Sequence, residues 1–372
     1  MQKTTLLLIS LAFILGITSC KEDVPPLVIP DNYDASGFAA STTTQATVRT
    51  QLGSMSSLMK TGRIAGVFVT EADLVGAFNA GNPSLSDIST SYYGDRIRRD
   101  NGWIENLSFA SANMYTPGTP QNEGGFFEGY LFDENGIELE QIIEKGLFAA
   151  AMYNHALTLM NGDLADGTTD QIISIFGAHP DFANSNNSDL HNNPDVFMAN
   201  YTARRDKNDG DGFYTNIQKA SIKLQAAIAA GDDYKEDQQE AIDAIKDNWE
   251  KASAATVINY CHAAISKLSA TNPTESDQAS ALHAYSEAVG FLHGWYEIPA
   301  ADKRISDSEI EEVLALMNAP QNGTPTSYTF VTDPVNQLPQ LTDAINRLKA
   351  IYAFSDQQIE DFKSNWVSEQ NR

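Results

Sequence analysis

Apolar residues recur at helical spacing along nearly the whole of this 372-residue chain, and that period constrains its fold more than any other feature. In residues 136–162, GIELEQIIEKGLFAAAMYNHALTLMNG, one face carries Leu139, Ile142, Ile143, Leu147, Ala150, Tyr153, Leu157 and Met160, and Gly162 ends the run. Val48, Leu52, Met55, Leu58 and Met59 repeat the spacing nearer the N-terminus. Residues 237–270 form the longest run, one helix or two. In DQIISIFGAHP, Pro180 should end the helix. Ser306 followed by Glu309 three positions on is a capping box that starts another helix. No pair of alternating strands stands out. The expected fold is all-α, a multi-helix bundle of about ten helices.

The first residues, MQKTTLLLISLAFILGITSC, carry a positive flank at Lys3 and an apolar run too short to span a bilayer. Ile17, Thr18 and Ser19 before Cys20 resemble a bacterial lipobox, in which the cysteine is acylated and becomes the new N-terminus. The expected organisation is a signal peptide over 1–19, lipidated Cys20 with a flexible tether through residue 41, and one helical domain over 42–372. Lys21, Glu22 and Asp23 resemble the acidic export tags of outward-facing lipoproteins, which places the protein on the outer membrane at the cell surface. With Cys20 taken by lipid, Cys261 has no partner for a disulfide and reads as a small buried hydrophobe. Forty-nine acidic against 24 basic side chains give a formal charge of −25, which disfavours nucleic acid and anionic membrane surfaces as partners.

The segment ALHAYSEAVGFLHGWYE, residues 281–297, concentrates polar groups in an apolar helix. His283 and Glu287 are four apart and share a face, which Gly290, Gly294 and Glu297 continue. An imidazole and a carboxylate so spaced can bind one metal, a divalent ion or an iron species, if other elements complete the set. Asn259 and His262 on the preceding helix, with Glu144 or His155 on 136–162, are the candidate donors. The same pattern equally describes a seam of buried hydrogen bonds in which Gly290 admits a neighbouring helix. His293, one position off the stripe, reads as peripheral.

Asp206, Asn208, Asp209 and Asp211 make a weaker calcium-loop candidate, because the spacing is one residue too long and no glutamate closes the loop. Asp209 or Asp211 could instead cap the helix that starts near Phe213. Arg96, Arg98 and Arg99 form the one dense basic cluster; it could bind an anionic ligand, but is expected to pair with nearby carboxylates. There is no nucleophile elbow, phosphate-binding glycine loop or HExxH pair, so no catalytic residue is assigned.

Several stretches taken in order, among them TTQATVRTQLGSMSSLMK, LFDENGIELEQIIEKGLFAAAMY, ANYTARRD, NWEKASAATVINYCHAAISKL and HAYSEAVGFLHGW, resemble a family of bacterial outer-membrane lipoproteins, a domain of unknown function related to the imelysins. The likeness runs from about Tyr33 to near the C-terminus. It implies a helical bundle and a role in iron or other nutrient uptake beside an outer-membrane receptor. The imelysin Gly-x-His-x-x-Glu motif is broken here: Gly177 and His179 are present, but Phe182 replaces the glutamate. The expected function is therefore non-catalytic ligand or metal binding, with a metal-dependent hydrolase built on His283 and Glu287 as one alternative and a surface adhesion or scaffolding module as the other.

Overall fold

The computed structural model describes residues 24–119 and 123–372. The expected signal peptide and Cys20 lie outside the described residues. The helices of seven residues or more are α1 (Thr43–Thr61), α2 (Glu71–Phe78), α3 (Ser91–Arg98), α4 (Trp103–Ala110), α5 (Leu139–Leu147), α6 (Asn154–Met160), α7 (Thr168–Phe176), α8 (Phe197–Arg205), α9 (Phe213–Ala230), α10 (Lys235–Leu268), α11 (Glu275–His293), α12 (Asp307–Leu316) and α13 (Pro334–Tyr352). A two-stranded antiparallel hairpin, β1 (Gly125–Phe127) and β2 (Tyr130–Phe132), was not legible as a strand pair because each strand is a single short triplet. The architecture is all-α apart from that hairpin. No helix among the described residues is long and apolar enough to cross a membrane.

The 34-residue α10 is unbroken and forms the spine, with α9 and α11 against it. It buries small residues, Ala252, Ser253, Ala254 and Ala255, so its neighbours approach closely, and Trp249 fills the space beside Tyr153 and Phe176. Cys261 is buried, as a small apolar side chain should be. Ser306 and Glu309 form the expected capping box at the start of α12.

Between α5 and α6 the chain takes one π-helical stretch, Phe148–Tyr153, every residue of it buried. The wider turn leaves carbonyls for outside donors, and the Thr90 amide reaches Ala150 O at 2.8 Å. The stretch expected to act as a tether through residue 41 is shorter than that. Tyr33 donates to Asp170 Oδ1 at 2.6 Å, the Asp34 amide donates to Gln225, and a helical turn covers Phe38–Ser41. Tyr234 donates to Pro25 O as well, so the chain is held to the body almost from where its description starts.

Helices α5 and α11 cross at backbone contact. A Cβ on Gly290 would lie 2.7 Å from Gln141 O, and one on Gly294 would lie 2.3 Å from Gly146 O. A Cβ on Gly146 itself would meet Tyr93, whose hydroxyl donates to Ile142 O at 2.6 Å. This crossing positions a polar seam at the middle of α11 and a cavity at its end.

Candidate functional site

His283 and Glu287 do meet other charged groups, but the set differs from the one expected. The His283 Nδ1–H donates to Glu138 Oε2 at 2.6 Å, and its Nε2 stands 3.6 Å from Glu287 Oε2. Its ring stacks on Tyr130 with centroids 4.5 Å apart. Glu144 joins through Lys145, which pairs with it and reaches Glu287 at 3.6 Å. Ser56 donates to Glu144 at 2.8 Å, and Tyr201 donates to Glu287 at 3.2 Å. Arg63 contacts Glu138 and Glu140, and Lys60 lies 3.7 Å from Glu140 and 3.6 Å from Glu144. Carboxylates at 138, 140, 144 and 287 thus face cations at 60, 63 and 145 together with the imidazole of His283.

Asn259 and His262 are not part of this seam. Asn259 donates to Phe362 O at 2.7 Å and Lys363 O at 3.2 Å, and His262 sits by Glu360 and Lys363. The face of α10 that carries them meets the C-terminal segment, while Tyr260, beside Tyr201 and Phe291, turns toward the seam. His155 lies 3.5 Å from the Gln45 amide, away from Glu144's partners. Glu297 is past the end of α11, in a left-handed turn at φ 62°, and does not extend the stripe. Among the described residues no group of three His, Cys, Asp or Glu side chains is placed to hold a metal ion. The donor set does not fit one either: each seam carboxylate already faces a cation, so a metal would have to displace Lys145 or Arg63.

Burial raises the Glu140 pKa, Glu138 and Glu144 raise it further, and it reaches about 7. Burial acts the same way on Glu144, but Lys145 and Lys60 outweigh it and bring that carboxyl down to about 2. For His283, burial favours the neutral ring, yet the hydrogen bond and charge of Glu138 leave its pKa raised. Glu140 ordinarily titrates near 4.5, so between there and about 7 the folded chain holds a proton that the unfolded chain has lost. Stability should therefore fall as pH rises through that window, by about 3 kcal/mol from Glu140. His283 acts in the same direction, stabilising below 6.5 and losing that contribution as pH rises through its folded value. Urea titrations from about pH 5 to 8 should show the decline, and Glu140→Gln should flatten it. A slope identical in wild type and variant would contradict the assignment.

The calcium-loop residues serve the backbone. Asp206 is buried, accepts the Asn208 amide at 2.6 Å, and caps α9 by accepting the Thr215 amide at 2.8 Å. The cap therefore comes from Asp206 and neither from Asp209 nor from Asp211. A Cβ on Gly212 would fall 2.2 Å from the Asp206 carboxyl carbon, so the glycine makes room for it. Asp209 accepts the Asp211 amide at 3.3 Å, and Lys219 donates to Gly210 O at 2.6 Å, which puts a cation where calcium would need an oxygen. Added calcium should leave the melting midpoint unchanged, and Asp206→Ala should cost about 1–2 kcal/mol through the lost cap. A calcium-dependent rise abolished by Asp209→Asn would restore the cation reading.

At the other end of α11 lies a cavity of about 270 Å³ between the α3–α4 link, residues 133–137 and the loop 319–325. His293 lines it and is buried, not peripheral. Burial, then the charge of Arg96, lowers its pKa to about 3, so the ring is neutral. The basic cluster pairs with carboxylates far less than expected: among the described residues Arg99 has one partner, Asp95 at 3.9 Å, while Arg98 donates to Gly94 O and Arg96 to Gln321 O.

A family model described as a domain of unknown function (DUF4856) matches residues 175–326. The match takes in α8 to α12 and leaves out α1 to α6, which supply Arg63, Lys145 and Arg96. No curated protein and no solved structure matches the chain.

Proposed function

We propose that this chain is an imelysin-like, lipid-anchored protein of the outer membrane, exposed at the cell surface, that binds a small ligand without transforming it and works beside an uptake receptor. The observation that carries the non-catalytic part is the closure of the seam. Its imidazole and carboxylates are engaged by one another and by Lys60, Arg63 and Lys145, so none is free to act as base or nucleophile. The same closure argues against a divalent metal or iron species at His262, His283 and Glu287, and favours the cavity beside His293 as the place for an organic ligand. The lipobox sequence before Cys20 supports the anchor. The docked Pro25 is five positions on from Cys20, a reach of at most about 18 Å, which would hold the α9–α10 end of the body close to the bilayer.

Cys20→Ser should move the protein from the membrane to the soluble fraction, whereas wild type should stay with outer-membrane vesicles. An unchanged distribution would defeat the anchor. Chelator-sensitive peptide hydrolysis, lost in Glu287→Gln without loss of fold, would instead establish the hydrolase alternative. The scaffolding alternative has one observation in its favour: Ile64, Phe68, Phe109 and Met114 are large apolar side chains left about half or more exposed.

A further inference from the structure

We propose that the cavity at the end of α11 is a binding site for a small organic monocarboxylate with a flat apolar body, its carboxylate held by Arg96 and Arg99 at the start of α4. This rests on the reading of the chain as a ligand-binding protein and adds the site and the chemical class of the ligand.

Arg96 is the anchor. Its guanidinium lies over the rings of Trp103 and Tyr92, 5.5 and 5.9 Å from their centroids, which fixes its plane. One Nη donates to Gln321 O at 3.1 Å, and its Nε is buried with no acceptor. No carboxylate comes within ion-pair distance of it among the described residues, in a chain of net charge −25 where acidic partners abound. A partly buried guanidinium held this way is a preorganised donor with unused N–H groups, the arrangement that suits a planar carboxylate.

Two further observations converge on the same space. Helix α4 begins at Gly102, which lines the cavity and offers no side-chain cap, so first-turn amides there add partial positive charge. The nearby carboxylate of Glu105 accepts the Asn101 amide. His293, 4% exposed, also lines the cavity, and its Nδ1 has no hydrogen-bond partner.

The remaining walls select the class. Ile137, Ile142, Val289, Pro320 and Pro325 give an apolar patch that suits a flat hydrocarbon body, beside polar walls at Asn101, Asn106 and Asn135. Asp133 and Glu134 also border the cavity and oppose any anion, a dianion more strongly, so among anions a monoanion is favoured over a phosphate dianion or a dicarboxylate.

The test is calorimetry and thermal shift on the full chain with benzoate, benzamide and inorganic phosphate, each up to about 10 mM. Benzoate should bind saturably and raise the melting midpoint, while benzamide and phosphate should not. Arg96→Gln should weaken benzoate at least tenfold, and Arg98→Gln, outside the cavity, should bind as wild type. If Arg96→Gln fails to fold, the exposed Arg99→Gln decides, with a severalfold loss expected. No saturable benzoate binding, equal binding of benzamide or phosphate, or binding indifferent to both arginines would overturn the site. Such a failure with Cys20→Ser still released from membranes would remove the carboxylate site and leave the lipid anchor standing, while saturable binding of another small molecule would keep the ligand-binding reading.

Discussion

Lys145→Met should destabilise the folded chain by about 3–5 kcal/mol, lowering the melting midpoint by on the order of 5–10 °C. Lys145 is 5% exposed and pairs with Glu144 and Glu287, which are themselves nearly buried. Methionine keeps most of the volume, so packing changes little and the loss is electrostatic. Glu144 would keep the Ser56 hydroxyl and the half-exposed Lys60 at 3.6 Å, and Glu287 would keep Tyr201 and His283. The opposing Coulomb gain does not vanish in water, because neither carboxylate can reach it.

The same physics predicts the rescue. A buried ion pair contributes little beyond an apolar or amide replacement of similar shape, since its attraction mostly offsets desolvation. Adding Glu144→Gln and Glu287→Gln to Lys145→Met should therefore recover most of the stability. A double-mutant cycle by urea unfolding measures this directly. If the triple variant is no more stable than Lys145→Met alone, the loss came from packing around Phe148 and Tyr201, whose rings lie 5.5 and 5.3 Å from the amine.

The helical body was legible because period and caps are local. Residues 136–162, the Ser306 capping box and the long run at 237–270 all declare themselves within a few turns of chain. The seam was half legible. His283 and Glu287 stand out as polar residues in an apolar helix, and Glu144 in its own. Lys145 and Glu138 gave the same signal, as charged residues in a run whose every face is buried, and they were the ones to add. Asn259 and His262 failed for a different reason. Successive helical residues turn by 100°, so the period shows that a face exists but not which neighbour covers it. The C-terminal segment covers theirs. The cavity was least legible, because Arg96 and Gly102 come from one stretch, Val289 and His293 from a distant one, and they share no local pattern.

Gly294→Ala should be as damaging as Lys145→Met, with a loss of about 3 kcal/mol or more, although alanine is the better helix former by about 1 kcal/mol. The backbone of Gly294 is in the right-handed helical region, at φ −63° and ψ −19°, so the substitution carries no conformational strain. Only the contact matters: the new Cβ would lie 2.3 Å from Gly146 O and 2.8 Å from its Cα, and backbone atoms cannot turn aside. Helices α5 and α11 must separate, and Gly146 is itself held close, since a Cβ on it would meet Tyr93. Gly53→Ala is the control, since nothing lies within 4 Å of its added carbon, and it should be neutral or slightly stabilising. The crossing also connects the two polar features. The seam hangs on α5 and the middle of α11; the cavity takes Ile142 from α5 and His293 from the end of α11. Gly294→Ala should therefore weaken benzoate binding even where the variant remains folded, while Gly53→Ala leaves it intact. Full affinity in a destabilised Gly294→Ala chain would show that the cavity is built independently of the crossing.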